Sequence, residues 1–201
     1  CAFKDFTIVK GDIRVQGTLE KHLKTADLII PLAALVGAPL CDADPVNAHT
    51  TNKISPLAMM NMLSKDQIVI MPTTNSFYGT SSDDICTEET KTNPISSYAR
   101  DKLDVENRLT EHENFISYRL ATVFGTSPRM RMDLLVNDFV YRAFFDRFIV
   151  LFESHFKRNY IHIRDIASVF FHAINQYDSM KGEAYNVGLS DANLSKMQLC
   201  K

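Results

Sequence analysis

Short apolar runs alternate along the 201-residue chain with longer stretches of mixed polarity. The apolar runs are typical of β-strands and the longer stretches of helices. We predict strands at residues 6–10, 27–35, 67–72, 115–120, 147–152 and 183–187. The run at 27–35 is almost continuously apolar, as in a parallel strand that is buried on both faces.

The stretches between these runs predict helices, and two of them carry a start signal. Asp44 and Asn93 each precede a proline, and such a pair is typical of a helix N-cap followed by the first helical residue. The predicted helices are 18–24, 45–63, 94–112, 132–145 and 165–177, with a last one beginning at Asn193 or Ser195. Strands that alternate with helices predict an α/β fold with a parallel sheet.

Charge and composition exclude several classes of protein. The chain has 22 basic and 24 acidic residues, a net charge of −2, whereas a general nucleic-acid binder carries a basic surplus. Its hydrophobic content of 45% excludes a disordered chain. The longest uncharged apolar stretch, residues 28–40, is too short to span a bilayer. We therefore expect a globular protein that binds neither nucleic acid nor a membrane.

The cysteines and histidines predict no metal site. The four cysteines form no CxxC pair and the six histidines form no HxxxH pair. A disulfide framework is unusual in a chain of this size, so we expect a reducing, cytoplasmic environment.

Tyr98 and Lys102 form a candidate proton-transfer pair. They are four residues apart and share one face of a predicted helix. A tyrosine has an ordinary pKa of about 10, and a nearby ammonium favours the phenolate. Lowering that pKa to about 7 requires roughly 4 kcal/mol, so we expect a second positive charge, such as an oxidised nicotinamide ring. The spacing alone is unspecific, and by itself it favours a solvated lysine beside a packed tyrosine.

Thr74 gives this pair a context. Ligands of open α/β sheets bind beyond the carboxyl ends of the strands, and Thr74 follows the predicted strand 67–72. Residues 33–34 lie at the end of the predicted strand 27–35, and residues 121–125 follow the strand 115–120. A hydroxyl, a phenol and an ammonium that converge on a carbinol can orient it, exchange its proton, and hold the adjoining ribose and the phenol.

Several motifs occur in an order that resembles one known family. They are GDIR (11–14), PLAALVG (31–37), TNSFYG (74–79), YxxxK (98–102), RLATVFG (119–125), RNYIHIRD (158–165) and YNVG (185–188). Over about residues 6–196 the chain resembles the extended short-chain dehydrogenase/reductases, in particular the NAD-dependent epimerase/dehydratase family that acts on nucleotide sugars.

The resemblance implies roles for individual residues. It implies that Thr74, Tyr98 and Lys102 are catalytic, that NAD is the cofactor, with NADP as an alternative, and that no metal is used. The implied cofactor contacts are Asp12, Ile13, Leu32, Ala33, Ala34, Val36, Asn52, Tyr98, Lys102, Ala121 and Val123. The implied contacts to a nucleotide-sugar substrate are Thr74, Asn75, Thr122, Asn137 and Arg158.

The resemblance also implies a Rossmann-like, doubly wound parallel sheet with part of a smaller C-terminal substrate domain. We expect a partial NAD-binding domain at residues 1–125. Residues 126–201 are expected to mix substrate-binding elements with a returning strand and helix. The family's glycine-rich phosphate loop is missing, because no two of the seven glycines lie within three residues of each other. We therefore expect the chain to be a fragment that is incomplete at its N-terminus.

The implied activity is epimerisation through a transient keto sugar. Asn75 and Ser76 stand where the family's 4,6-dehydratases have an Asp-Glu pair, which disfavours dehydration. A keto-sugar reductase, a dehydratase and a non-catalytic dinucleotide-binding or scaffold protein are the alternatives. A homodimer is implied as well, through the helix after Asp44 and the Tyr98 helix. A group of apolar residues before the third strand fits a core or an interface: Leu57, Met59, Met60, Met62 and Leu63.

Overall fold

The computed structural model describes residues 4–80 and 85–201. The strands in these residues are β1 (Leu28–Ile29), β2 (Ile68–Thr74), β3 (Phe115–Leu120), β4 (Thr122–Phe124), β5 (Lys157–His162), β6 (Glu183–Val187) and β7 (Asn193–Ser195). A central parallel sheet has the order β1-β2-β3-β6. In a second sheet, β5 pairs in parallel with β4 and antiparallel with β7. The central sheet confirms the predicted α/β class.

Helices connect the parallel strands. They are α1 (Gln16–Leu23), α2 (Ala38–Ala43), α3 (Pro45–His49), α4 (Ser55–Met60), α5 (Ser97–Leu109), α6 (Leu135–Phe145), α7 (Ile163–Asn175), α8 (Tyr177–Met180) and α9 (Lys196–Leu199). A π-helical segment, Thr50–Ile54, joins α3 to α4 without a break. A short 3₁₀ turn, Asn75–Tyr78, follows β2. No helix in the described ranges is long and apolar enough to cross a membrane.

The two faces of the central sheet carry separate hydrophobic cores, because successive side chains of a strand point to opposite faces. On β2, Val69 and Met71 pack with α1, α4 and α5. Ile70 lies between them in sequence and packs on the other face, with Ile166 and Ala173 of α7. Helices therefore cover both faces, as expected for a doubly wound sheet.

The apolar group before β2 belongs to the core. Met59 and Met60 are buried in the first of the two clusters, and Leu57, Met62 and Leu63 are packed against it. This outcome confirms the core alternative for these side chains. A homodimer stays a prediction.

Three predicted strands are wrong or too long. Residues 6–10 form no strand and are exposed. Residues 147–152 form none either, and regular pairing begins at Lys157. The strand predicted at 27–35 is only Leu28–Ile29, and Pro31, which has no N–H to donate, follows closely. The prediction also missed α2, α8, β4, β5 and β7.

The helix that carries Tyr98 begins later than Asn93. Backbone N of Asn93 donates a hydrogen bond to Phe77 O at 2.7 Å. A Cβ on Gly79 would lie 2.2 Å from Asn93 O, and Gly79 has a φ of +60°. Residue 93 is therefore packed against the turn after β2, and the glycine permits that close approach. The helix starts three residues later, behind the N-cap Ser96.

Candidate active site

Helix α5 carries Tyr98 and Lys102 near its start. Ser96 Oγ caps the helix by accepting a hydrogen bond from Ala99 N at 3.1 Å. Tyr98 lies in the first turn and Lys102 one turn later, and only 8% and 4% of their surfaces are exposed. The spacing of four residues therefore brings both side chains to the same buried side of the helix.

Burial governs the protonation of this pair. Burial, and to a smaller extent Cys41, raises the pKa of Tyr98 to about 12, although the Thr74 hydroxyl and Arg131 act to lower it. Burial lowers the pKa of Lys102 to about 8. Lys102 therefore loses its proton before Tyr98 does, and an ammonium–phenolate pair does not form in the protein alone. Burial has the largest effect on the Tyr98 pKa in the protein alone, so the second positive charge expected from the sequence is still required to favour the phenolate.

Thr74 lies at the carboxyl end of β2, beside Tyr98. Its Oγ1 accepts a hydrogen bond from Ser76 N at 3.2 Å and so caps the 3₁₀ turn that follows. Thr74 is 7% exposed, and its hydroxyl is close enough to Tyr98 to act on the pKa of the phenol. The hydroxyl and the phenol therefore face one another, with Lys102 one helical turn along.

Cys41 is a buried neighbour of this group that no sequence pattern indicated. Its Sγ donates to Leu35 O at 3.3 Å, and the residue packs in a small cluster with Ala48 and Tyr98. Burial raises the pKa of Cys41. The thiol beside Tyr98 therefore holds its proton more strongly than usual, and it opposes the phenolate only once it has ionised.

Asn52 holds the segment that follows β1. Its Oδ1 accepts a hydrogen bond from Leu35 N at 2.9 Å, and its Nδ2 donates to Leu35 O at 2.8 Å. Asn52 is fully buried. Both ends of its amide bind the backbone of the segment where cofactor contacts are expected, so Asn52 fixes the position of that segment.

Replacing Asn52 by alanine should destabilise the protein by about 1–3 kcal/mol, because Leu35 N and O would lose buried partners. Urea unfolding followed by circular dichroism measures the change. Asn61→Ala is the matched control, since Asn61 is exposed and its side chain accepts a bond from the side chain of Arg108 and, among the described residues, holds no buried backbone. Equal losses in the two variants would contradict a clamping role for Asn52.

Asn137 of α6 holds the loop after β4, as Asn52 holds the segment after β1. Its Oδ1 accepts a bond from Gly125 N at 3.1 Å, and its Nδ2 donates to Arg131 O at 2.9 Å. The side chain of Arg131 reaches across to donate to Val36 O at 3.3 Å. The loop therefore brings a guanidinium within electrostatic range of Tyr98.

The other candidate contacts differ in exposure. Leu32 and Ala33 are exposed after β1, Val36 is 39% exposed and Ala34 is half-buried. At the end of β3, Ala121 is buried, and the half-buried Val123 packs against the same core. The half-buried candidates Asn75 and Thr122 lie on the 3₁₀ turn and on β4.

Asp12, Ile13 and Arg158 are the remaining candidate contacts. Asp12 makes an ion pair with Arg14 at 2.6 Å and accepts a bond from Arg14 N at 2.9 Å, which closes a turn. Asp12 and Ile13 line a cavity of about 480 Å³ with residues of α3 and α4, and none of the residues around Tyr98 lines it. Arg158 is exposed on β5.

Comparison with known proteins identifies the family. The family model described as "NAD dependent epimerase/dehydratase family" matches residues 2–188. The chain belongs to this family.

Solved structures share the family's Rossmann-like fold with this chain. The UDP-glucose 4-epimerase of Thermus thermophilus in complex with NAD is 20% identical, with a TM-score of 0.79 over 94% of this chain and 65% of that one. The dTDP-glucose 4,6-dehydratase of Bacillus anthracis in complex with NAD is 21% identical, with a TM-score of 0.75 over 90% of this chain and 57% of that one. RMD from Pseudomonas aeruginosa complexed with NADPH is 16% identical, with a TM-score of 0.76 over 90% of this chain and 65% of that one. The chain thus spans about three fifths of the length of these relatives.

Some residues of the candidate site could not be found from motifs. Cys41 carries no signal, and Arg131 belongs to a basic cluster that is ordinarily a solvated loop. Glu106 does carry a signal, because it lies four residues after Lys102 on the same buried side of α5. Its contacts connect the Tyr98 helix to the sheet.

Proposed function

We propose that the protein is an NAD-dependent nucleotide-sugar epimerase that works through a transient keto sugar. The observation that carries the proposal is the buried group of Thr74, Tyr98 and Lys102 where β2 ends and α5 begins. Epimerisation needs a base that removes a hydroxyl proton and later returns it, and this group provides one.

Tyr98 is the proton acceptor in this proposal. Its Oη takes the proton of a sugar hydroxyl, and Thr74 Oγ1 donates a hydrogen bond to the reacting oxygen. Bound NAD supplies the hydride acceptor and donor. Because the pKa of Tyr98 is about 12 in the protein alone, the phenol needs added positive charge to act near neutral pH. Lys102, with a pKa of about 8, is still mostly protonated there.

The described residues fit the nicotinamide end of a dinucleotide, where the reaction takes place. In the described part of the chain, the Lys102 ammonium forms no ion pair, so it is available to a ribose hydroxyl. Leu32 and Ala33 are exposed in the segment that follows β1. We propose the remaining implied cofactor contacts, Asp12 and Ile13 among them, because the chain resembles the family at those positions.

A nucleotide sugar is the proposed substrate. The solved relatives include enzymes named for UDP-glucose and dTDP-glucose. Arg158 is exposed on β5 and can pair with a diphosphate. Asn75 and Thr122 offer amide and hydroxyl groups to the sugar.

Epimerisation is favoured over dehydration by the residues of the 3₁₀ turn. Removing water from a sugar needs an acid and a base on neighbouring carbons. The turn presents Asn75 and Ser76, an amide and a hydroxyl, directly after Thr74. Neither group titrates near neutral pH, so the turn supports proton exchange at Tyr98 alone.

Mass spectrometry of the purified full-length protein tests this function. We expect retained NAD, and a nucleotide-sugar panel should then yield one epimer with no net change in reduced cofactor. Net consumption of NADPH would show a reductase, and loss of water would show a dehydratase. A protein that retains the cofactor but converts no sugar would support the scaffold alternative.

A further inference from the structure

A buried ion pair joins the Tyr98 helix to the sheet. Glu106 lies on α5 two turns after Tyr98, and Arg119 lies on β3. Arg119 Nη2 and Nε donate to Glu106 Oε1 at 2.6 and 2.9 Å. The side chains of Arg119 and Glu106 are 11% and 4% exposed. A buried ion pair of this kind is a poor source of stability, because desolvating both charges offsets their attraction. Its geometry is therefore the informative property.

The second carboxylate oxygen of Glu106 holds the end of β2. Ser117 Oγ donates to Glu106 Oε2 at 2.6 Å, and Thr73 Oγ1 donates to it at 3.0 Å. Thr73 immediately precedes Thr74 and is itself buried. Glu106 thus fixes the position of the end of β2 relative to the helix that carries Tyr98.

Arg119 holds the far end of the same segment. Its Nη1 donates to the hydroxyl of Tyr78 at 2.9 Å, and the Tyr78 hydroxyl donates to Asn186 Oδ1 at 2.7 Å. Tyr78 is the last residue of the 3₁₀ turn that Thr74 caps. One ion pair therefore fastens both ends of the segment from Thr73 to Tyr78.

Resting on the proposed function, we propose that Glu106 and Arg119 are positioning residues that hold Thr74 against Tyr98. Glu106 belongs to the same rigid helix as Tyr98, so a segment fastened to Glu106 keeps its distance from the phenol. Misplacement of a group that orients the reacting atoms by about 1 Å costs on the order of 100-fold in rate. The ion pair thus contributes to catalysis through Thr74, without touching the substrate.

Hydrogen exchange on the full-length protein tests the positioning directly, with no substrate present. Glu106→Gln keeps the shape of the side chain and removes its charge, which weakens its bonds to Arg119. We expect amides in residues 74–79 to exchange at least about 10-fold faster than in the natural protein. Asp104→Asn is the matched control, because Asp104 lies on the same helix and pairs with Lys53 at 2.6 Å. Equal protection of this segment in both variants would overturn the proposal.

A double-mutant cycle with Thr74→Ala tests the catalytic consequence. If Glu106 acts through Thr74, Glu106→Gln should lower kcat about 10-fold in the natural background, leave KM nearly unchanged, and have little effect once Thr74 is alanine. Additive losses in the two backgrounds would overturn the proposal. Asp104→Asn should leave kcat unchanged in both.

Arg119→Lys gives a second route if Glu106→Gln does not fold. A single ammonium can pair with Glu106 but cannot also reach Tyr78, since lysine lacks the fork of a guanidinium. We expect the amide of Tyr78 to exchange faster than in the natural protein, and the amide of Thr73 to exchange at its natural rate. An equal increase in exchange along the whole segment would count against the proposal. If the natural protein converts no nucleotide sugar, the proposed function fails while the exchange measurements still decide the positioning.

Discussion

Replacing Tyr98 by phenylalanine should abolish turnover of the full-length protein while leaving NAD bound. Tyr98 is the only phenol of the group with Thr74 and Lys102 in the described residues, and it lies in the first turn of α5. The substitution removes only the hydroxyl, so the packing of the ring is kept. A positioned acid or base contributes about 10²–10⁴-fold, so kcat should fall at least about 100-fold. Stopped assays of epimer formation and mass spectrometry of the retained cofactor measure the two outcomes.

Tyr118→Phe is the matched control for this variant. Tyr118 is 1% exposed, and burial raises its pKa to about 12, as for Tyr98. Its hydroxyl donates to Val169 O at 3.2 Å, on the α7 side of the sheet. We expect its kcat to stay within about 2-fold, with a loss of about 1 kcal/mol in unfolding free energy. Unchanged turnover in Tyr98→Phe would remove the proposed proton acceptor.

The central sheet could be predicted because its strands are short apolar runs that pack into the hydrophobic cores. The strands at 115–120 and 183–187 match β3 and β6 residue for residue. Phe115 of β3 packs in one core, whereas Ile116 of β3 and Val187 of β6 pack in the other. The hydrophobic pattern and the structure therefore coincide. The prediction failed where a segment has the apolar pattern of a strand but does not pair with another strand. Residues 6–10 and 147–152 are apolar enough for strands, but no strand of the described residues lies beside them.

The candidate site was predictable where it rests on one element. Tyr98 and Lys102 share a helix, and their spacing alone places them together. Arg131 and Cys41 reach the same region from separate loops, and their positions depend on Asn137 and Asn52. An asparagine forms similar bonds with a ligand, a loop or water, so its partner follows only from the folded chain. Hence Asn52 and Asn137, which were both expected to touch ligands, are found with their amides bonded to backbone.

Lys102→Met should lower turnover about 100-fold and, at the same time, stabilise the protein alone at neutral pH. Turnover falls because the Tyr98 phenolate is favoured by the Lys102 ammonium together with the positive charge that the oxidised nicotinamide adds. The variant removes the ammonium, so less phenolate forms. The gain in stability follows because the Lys102 charge is buried without an ion-pair partner among the described residues. Methionine keeps a similar length and needs no counter-charge.

The pH dependence of this gain has a definite sign. The pKa of Lys102 falls from 10.5 to about 8 on folding. Below pH 8 the folded protein must keep a buried ammonium charged, which costs about 3 kcal/mol. Between pH 8 and 10.5 the folded state has lost that proton while the unfolded state retains it, so the cost disappears as the pH rises. The advantage of Lys102→Met in unfolding free energy should therefore be largest at pH 7 and small at pH 10.

Lys53→Met separates this effect from the general consequence of removing a lysine. Lys53 pairs with Asp104 at 2.6 Å, and this bond raises its pKa. Its loss should lower the unfolding free energy by about 0–1 kcal/mol and leave turnover unchanged. Thermal unfolding of the three proteins at pH 7 and pH 10 makes the comparison. A Lys102→Met protein that is less stable than the natural one at pH 7, or whose advantage does not shrink by pH 10, would show that the buried ammonium is compensated in the folded chain. Fast turnover in the same variant would remove Lys102 from the proposed proton transfer, because Arg131 would then be sufficient as the cation near Tyr98.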